Sequence, residues 1–130
     1  ELGQAVIDEM DEAVAVFSSS GQLVMSNLAY AQIWAHDPAG SLKPATVHTV
    51  AAHWRALSAP SALWSEAEEF ISTVGNRVSW RSEARLLDGR LVSCRFAPLS
   101  GGATLAGFRT VDPQGMARPI LAGAETLKTA

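Results

Sequence analysis

Hydrophobic residues at the start of the chain follow first a helical and then a strand-like spacing. A short amphipathic helix is predicted over residues 2–11, because its apolar residues recur three and four positions apart. A compact apolar run at residues 13–17 ends in Ser-Ser-Ser-Gly, and a second apolar run begins at Leu23. Two strands joined by a glycine-containing turn, that is, a hairpin, explain this order most simply.

The middle of the chain has helical periodicity. Asn27 can cap a helix on its first turn. The residues that this helix would bury are Leu28, Tyr30, Ile33 and Trp34. Two further helical stripes cover residues 47–57 and 62–74, the second ending at Val74 before Gly75-Asn76, a pair that tolerates the left-handed conformation of a helix end.

After residue 76 the hydrophobic period changes from 3.6 to two, which predicts strands with one wet face. The first alternation runs from Val78 to Leu86, the next covers residues 92–96, and the last strand is predicted over residues 104–111. Asp88-Gly89 and Gly101-Gly102 supply the turns between them. Strands and helices segregated in this way indicate an α+β domain with an antiparallel sheet.

Composition limits the class of protein. The 130 residues are 48% hydrophobic and 18% charged, which suits one compact domain and excludes a disordered chain. The net charge of −3 comes from scattered residues, so we expect no nucleic-acid partner. No apolar run approaches the roughly 20 residues of a membrane span, and residues 1–10 do not resemble a signal peptide. We therefore expect a cytoplasmic location, and, since the first residue is not Met, a longer parent protein.

Two parts of the sequence resemble a PAS domain, and the likeness is greatest to those of alphaproteobacterial sensor histidine kinases. The first part is the hairpin at residues 17–27, which leads to the capping Asn27 and then to Tyr30 and Trp34. The second is the three-strand meander at residues 80–112. The resemblance implies an α+β PAS fold, with a five-stranded antiparallel sheet and helices packed on one face.

The resemblance also implies a division of the chain. Residues 1–12 would form an N-terminal amphipathic helix, residues 13–112 the PAS domain, and residues 113–130 a linker and the start of a histidine-kinase dimerisation helix. The linker departs from the family pattern, because Pro113, Gly115 and Pro119 interrupt it. After them, Ile120, Ala124 and Leu127 fall at the spacing of a coiled-coil seam.

The histidines, the acidic clusters and the cysteine could suggest catalysis or metal binding, but surface or core positions explain them more simply. His48 and His53 are five positions apart, which does not place them on one helical face, so they and His36 are interpreted as surface or partly buried residues. The acidic residues near residues 8–12 and 66–69 are interpreted as solvated faces. Cys94 lies on the inward face of a predicted strand, where a thiol is usually inert. We predict no catalytic residues, no bound cofactor and no metal.

The four tryptophans are interpreted mainly as core residues. Trp34, Trp54 and Trp64 fall on apolar helical stripes, and Trp80 falls on the inward face of a strand. PAS relatives often bind small molecules between the helices and the sheet. A candidate apolar pocket there would be lined by Trp80, Cys94 and Phe96.

The resemblance implies a regulatory sensor or interaction module of a two-component histidine kinase. It would form a homodimer and pass the binding of a small molecule, a response regulator or another protein to a dimeric output helix. The chain itself would not be an enzyme. The alternative is a small enzyme of the ketosteroid isomerase type, which needs an Asp or Tyr in an apolar cavity. Tyr30 is the one tyrosine, and no predicted strand has an inward Asp.

Overall fold

The structure, a computed structural model, describes residues 11–40 and 43–111. The strands in these ranges are β1 Ala13–Phe17, β2 Leu23–Ser26, β3 Trp80–Arg85, β4 Leu91–Pro98 and β5 Thr104–Val111. The α-helices are α1 Leu28–Trp34, α2 Val47–Ala56 and α3 Leu63–Ser72, and short 3-10 turns lie at Pro38–Gly40 and Ser100–Gly102. The predicted order of a hairpin, helices and a three-strand meander is confirmed.

The strands form one antiparallel sheet in the order β2-β1-β5-β4-β3. The first strand of the hairpin, β1, and the last strand of the meander, β5, therefore pair in the middle of the sheet, where Ala13 lies opposite Phe108. β3 is an edge strand, and Trp80 at its start lies opposite Phe96 of β4. The predicted fold, a five-stranded antiparallel sheet with helices on one face, is confirmed.

Asn27 joins the first helix to the sheet. Its side-chain Oδ1 accepts hydrogen bonds from the backbone N–H of Tyr30 (3.0 Å) and of Val14 (2.9 Å). Its Nδ2 donates to the carbonyl of Glu12 (2.8 Å). The first of these bonds is the predicted N-cap. The other two fix the direction in which α1 leaves β1, so one buried amide sets both the start and the orientation of the helix.

The inward face of the sheet has the predicted phase. Val92, Cys94 and Phe96 are buried in the core, and they alternate with partly exposed residues of β4. Three predictions of burial were wrong, because Leu28, Val74 and Val78 are 61%, 72% and 83% exposed. The first lies at the N-terminal end of α1, and the other two lie in the segment between α3 and β3. Apolar character alone did not place them in the core.

The outward face of the sheet carries an ion pair that was not predicted from the sequence. Glu12 was predicted to be solvated, but it is buried. The guanidinium of Arg95 donates from Nε to Oε2 (2.6 Å) and from Nη2 to Oε1 (2.9 Å) of its carboxylate. Gly107 is the cross-strand neighbour of Arg95, and a Cβ there would overlap the Glu12 carboxylate. The pair therefore depends on a glycine beneath it.

The predicted terminal segments lie outside the described residues. They include the helix predicted over residues 2–11, apart from Asp11 itself, the linker with Pro113, Gly115 and Pro119, and the seam formed by Ile120, Ala124 and Leu127. Their division from the PAS domain remains a prediction.

Candidate ligand-binding site

Aromatic rings occupy the space between the helices and the sheet. The ring centroids of Trp34, Trp54 and Trp64 lie 5.6–6.2 Å from one another, and all three side chains are buried. Phe108 of β5 lies 5.3 Å from both Trp34 and Trp54. Buried aromatic residues contribute large apolar areas and contact one another edge to face or at a tilt. The same cluster therefore links α1, α2 and α3 to the central strand.

The polar atoms of this aromatic core are only partly satisfied. Trp54 Nε1 donates to the hydroxyl oxygen of Tyr30 (2.8 Å). Burial raises the pKa of Tyr30 strongly, although the hydrogen bond from Trp54 opposes the shift, so the phenol stays neutral. Within residues 11–40 and 43–111, the indole N–H groups of Trp34 and Trp64 have no hydrogen-bond acceptor. Their rings meet nearly at right angles (79°), the geometry in which an edge faces a π-system.

The structure brings the predicted pocket residues together on one wall of the core. Trp80 stacks on Phe96, with the ring centroids 4.7 Å apart and the planes 28° from parallel. Cys94 lies two residues from Phe96 on the same face of β4. Phe96 and Cys94 are fully buried, whereas Trp80 is partly exposed at the sheet edge. That this wall lines a ligand pocket stays a prediction.

The thiol of Cys94 is unreactive in this position. Burial raises the pKa of its thiol to about 12, and the negative charge of Glu83 acts in the same direction. The thiolate is the reactive form of cysteine, so a protonated thiol is a poor nucleophile near neutral pH. The prediction that Cys94 is a core residue is confirmed.

Arg77 closes the edge of the core beside Trp80. Its guanidinium donates to the carbonyl oxygens of Phe70 (2.9 Å) and Ala103 (2.8 Å), and it lies over the Phe70 ring, 4.9 Å from the centroid. These contacts tie the segment before β3 to the start of β5. Arg77 belongs to no helix or strand, so its sequence spacing carried no signal of this role.

A second site lies where α1 ends. A cleft of about 170 Å³ opens between the end of α1, the 3-10 turn at Pro38–Gly40, residues 43–45 and α2. The rings of His36 and His53 line this cleft, with their centroids 5.0 Å apart, and we call it the histidine cleft. Nε2 of His53 lies 2.9 Å from the carbonyl oxygen of Trp34. Because a carbonyl only accepts hydrogen bonds, this nitrogen carries the proton.

The histidine cleft was not predicted. His36 is exposed and His53 half-buried, as expected for each of them singly. They are separated by 17 positions and by a loop, and helical spacing gives no sign that they meet. The two rings come together because the chain turns back after Pro38. A sequence pattern does not specify the path of such a loop.

His48 belongs to a different contact. It pairs with Glu68 of α3, which also accepts a hydrogen bond from Arg55 Nη2 (2.9 Å). Partial burial alone would raise the pKa of Glu68, but the hydrogen bonds from His48 and Arg55 leave it below its ordinary value. Across the described parts of the chain, no three His, Cys, Asp or Glu side chains are grouped so that they could hold a metal ion.

The fold is that of PAS domains. The PAS domain of BvgS from Bordetella pertussis superposes with a TM-score of 0.61 at 20% identity, covering 91% of this chain and 90% of that one. A PAS domain from Colwellia psychrerythraea gives a TM-score of 0.55 at 20% identity, with 85% and 96% covered. The described part of this chain therefore has the PAS fold, as its sequence predicted.

A relative in sequence is a sensor protein. The chain is 30% identical over 118 residues to the sensor protein DivL of Caulobacter vibrioides. The match covers 85% of this chain but 15% of DivL, so the chain spans about a seventh of that relative. No family model matches the chain. Among the residues that the structure describes, none of the helices has the length and apolarity needed to cross a bilayer.

Proposed function

We propose that this chain is a regulatory sensor module of a histidine kinase in a two-component pathway. The proposal is supported by the PAS fold together with the likeness to the sensor protein DivL. The buried Tyr30 phenol and Cys94 thiol both stay protonated at neutral pH, so neither group supplies an anionic base or nucleophile. The parent protein, and not this chain, would carry the kinase activity.

The aromatic core gives the module a path from its helices to its last strand. Phe108 of β5 contacts Trp34 of α1 and Trp54 of α2, and β5 ends at Val111. A change in helix packing therefore acts on the strand that leads into residues 112–130. In the proposed mechanism these residues connect to a dimeric output helix, and the module works as a cytoplasmic homodimer. An input must bind its two packing states with different affinity for such a switch to respond.

The single observation that carries the proposed path of the signal is this contact of Phe108 with both helices. In the full-length protein, Phe108→Leu should change autophosphorylation, or control of the partner if the kinase is inactive, because it loosens the contact while keeping an apolar side chain. Arg109→Ala is the matched control, since Arg109 is exposed and is the next residue of β5. Equal output from both variants and the unaltered protein would contradict the proposal.

The apolar wall formed by Trp80, Cys94 and Phe96 is a second place where an input could act. Phe96 is covered by the Trp80 ring, so a small apolar molecule would have to displace that ring to contact Phe96. Trp80→Ala should then increase the binding of an apolar probe dye to the folded chain. Unchanged dye binding would remove this wall from the proposed sensor.

A further inference from the structure

β3 is an edge strand, and its outer side is covered at one end only. At the C-terminal end residues 57–59 lie beside it, and the backbone N–H of Ala59 donates to the carbonyl oxygen of Arg85 (2.8 Å). Within residues 11–40 and 43–111, β4 is the one segment that pairs with residues 80–84. The strand therefore begins with an open stretch, residues 80–84, and ends in a covered one.

The backbone groups that face the open stretch follow from the alternation of an antiparallel strand. Successive residues turn their N–H and C=O groups to opposite sides. Arg85 turns its carbonyl away from β4, because Ala59 bonds it there. Glu83 and Arg81, two and four positions earlier, therefore turn their N–H and C=O groups to the same outer side. Each of these two residues offers one donor and one acceptor, which is the pattern that an added strand uses.

An open groove of about 430 Å³ lies between α3 and the start of β3, and we call it the β3 groove. Its apolar lining comes from Phe70, Val78 and Trp80, and Val78 is 83% exposed. The Phe70 and Trp80 rings meet edge to face, with their centroids 6.0 Å apart. The side chains of a strand added to β3 would point alternately to the helix side, where this groove lies, and to the outer face of the sheet.

The charged side chains of the β3 groove favour a cation. Glu66 and Glu69 of α3 line it, and both are exposed. In the described parts of the chain, neither carboxylate takes part in an ion pair or a side-chain hydrogen bond. Arg77 is the cation of the lining, and its guanidinium donates to the carbonyl oxygens of Phe70 and Ala103. Two carboxylates are thus set against one guanidinium, which leaves a surplus of negative charge for a partner to match.

We propose that the open stretch of β3 binds an extended segment of a partner protein as a further strand of the sheet. The backbone of the segment pairs with Arg81 and Glu83. One apolar side chain of the segment lies on Trp80, and a lysine or arginine side chain lies against Glu66 and Glu69. The inference deepens the proposed sensor function by naming the kind of partner that the module recognises, and it rests on that function for its role in signalling.

A second copy of the chain fits this edge less well than a separate segment. In an antiparallel pair of two β3 strands, Arg81 can lie opposite Glu83 of the second copy, so the charges agree. The same register places Ser79 of the second copy opposite Arg85, the position that Ala59 already holds. A segment of about five residues that ends before this position avoids the overlap. The covered end of β3 therefore favours a short peptide segment as the occupant.

Titration of the ¹⁵N-labelled chain with the peptide acetyl-Val-Lys-Lys-Glu-Leu-Thr-amide, followed by NMR, tests the proposal. In the antiparallel register the peptide glutamate lies opposite Arg81 and the first lysine opposite Glu83, while the second lysine and the leucine point to the β3 groove. The backbone amides of Arg81 and Glu83 and the indole N–H of Trp80 should shift saturably, with a dissociation constant of about 1 mM or lower. No saturable shift up to about 5 mM peptide would overturn the proposal.

N-methylated peptides test whether the segment binds as a strand. A methyl group on the backbone nitrogen of the peptide glutamate removes the N–H that donates to the Arg81 carbonyl, and binding should weaken about tenfold or more. The matched control carries the methyl group on the leucine nitrogen, whose N–H points away from β3, and it should bind like the parent peptide. Equal binding of the two methylated peptides would mean that no strand is added.

Variants of the chain assign the contact of the basic side chain. Glu66→Gln combined with Glu69→Gln should weaken peptide binding about fivefold, because exposed ion pairs are individually modest. Both residues are exposed, so the fold should persist, as the melting temperature will verify. Asp11→Asn is the control for loss of negative charge, since Asp11 is exposed and precedes β1, and it should bind the peptide normally. Full binding by the double variant would place the peptide outside the β3 groove and contradict the proposal.

Dilution of the chain without peptide distinguishes the other occupant. The amide shifts of Arg81 and Glu83 should not depend on the concentration of the chain. Shifts that move with concentration as they do with peptide would show that the edge pairs with a second copy, and the proposal would be wrong.

The two proposals can fail separately. If the peptide does not bind but Phe108→Leu changes kinase output, the edge of β3 is not a docking site and the sensor function stands. If the peptide binds at β3 but neither the Glu66→Gln, Glu69→Gln double variant nor Phe108→Leu alters the output of the full-length protein, the proposed sensor function is wrong and the docking site stands.

Discussion

Helix α2 separates two regions of opposite character, and two adjacent residues show the difference. Trp54 lies in the aromatic core, where it contacts other rings and donates one hydrogen bond to a buried phenol. His53 lies in the histidine cleft, partly open to solvent, where its ring faces another imidazole. The core is apolar, and its aromatic side chains are buried. The cleft is small and partly open, and its lining combines two imidazole rings with apolar side chains. Consecutive residues of one helix therefore build both the interior of the domain and its open surface.

The largest effect should come from the core side of α2. Trp54→Ala should lower the free energy of unfolding by about 3–5 kcal/mol, because it removes a buried indole and leaves a cavity. Urea denaturation measures the change. Leu28→Ala is the control, since Leu28 is 61% exposed, and its cost should stay within about 0.5 kcal/mol. Similar costs for the two variants would mean that the aromatic cluster is not the core.

Tyr30→Phe should cost less, about 1–3 kcal/mol, although it removes one oxygen atom. The phenol oxygen accepts the Trp54 Nε1 hydrogen bond, and without it the buried indole N–H loses its acceptor. Chemical denaturation of the variant measures the effect. Tyr30→Phe combined with Trp54→Phe should cost less than the sum of the two single changes, because the unpaired donor is then gone. Strict additivity would show that the hydrogen bond has no energetic role.

The core should also lose stability in alkali. The pKa of Cys94 is about 12 in the folded chain and near 9.0 for an ordinary thiol. Between these values the unfolded chain releases the proton and the folded chain keeps it, so stability is present below about pH 9 and falls as the pH rises. At about pH 10 the loss from this group is roughly 1.4 kcal/mol. Cys94→Ala should flatten this slope in denaturation curves, and an unchanged slope would contradict the assigned burial.

The smallest effect on stability belongs to the cleft. His53→Asn should cost about 1 kcal/mol, because one hydrogen bond to the Trp34 carbonyl is lost from a half-buried site. The matched comparison is Trp54→Ala, one position along the same helix. The two variants should therefore differ by several kcal/mol in urea denaturation, and a cost for His53→Asn as large as that for Trp54→Ala would show that the cleft is part of the core.

The sequence predicted most of the fold because its local signals agree. The period-two pattern of β4 gave the inward phase of Cys94 and Phe96, and Asn27 gave the start of α1. The errors occurred where burial depends on distant segments. Leu28 is apolar and in a helix, but no neighbouring element within residues 11–40 and 43–111 covers it. Glu12 is charged, but a partner 83 positions away buries it.

The candidate sites were predictable to different degrees. The wall formed by Trp80, Cys94 and Phe96 follows from strand alternation, which is local. The meeting of His36 and His53 depends on the path of the loop before α2, and neither residue alone differs from a surface histidine. The sequence therefore predicted each of them as a surface or partly buried residue, which holds for each singly, and gave no sign of their contact.

The ion pair above Gly107 has a consequence for how this sequence can diverge. A side chain at position 107 would occupy the place of the Glu12 carboxylate, so it is tolerated only after the acid has been replaced. If Glu12 is replaced first, Arg95 loses its anionic partner. A later substitution of Arg95 can then remove the unpaired charge. The three sites therefore form an ordered mutational path, with position 12 changing before position 107. Homologues should show them varying together, even though they lie on three different strands or strand ends.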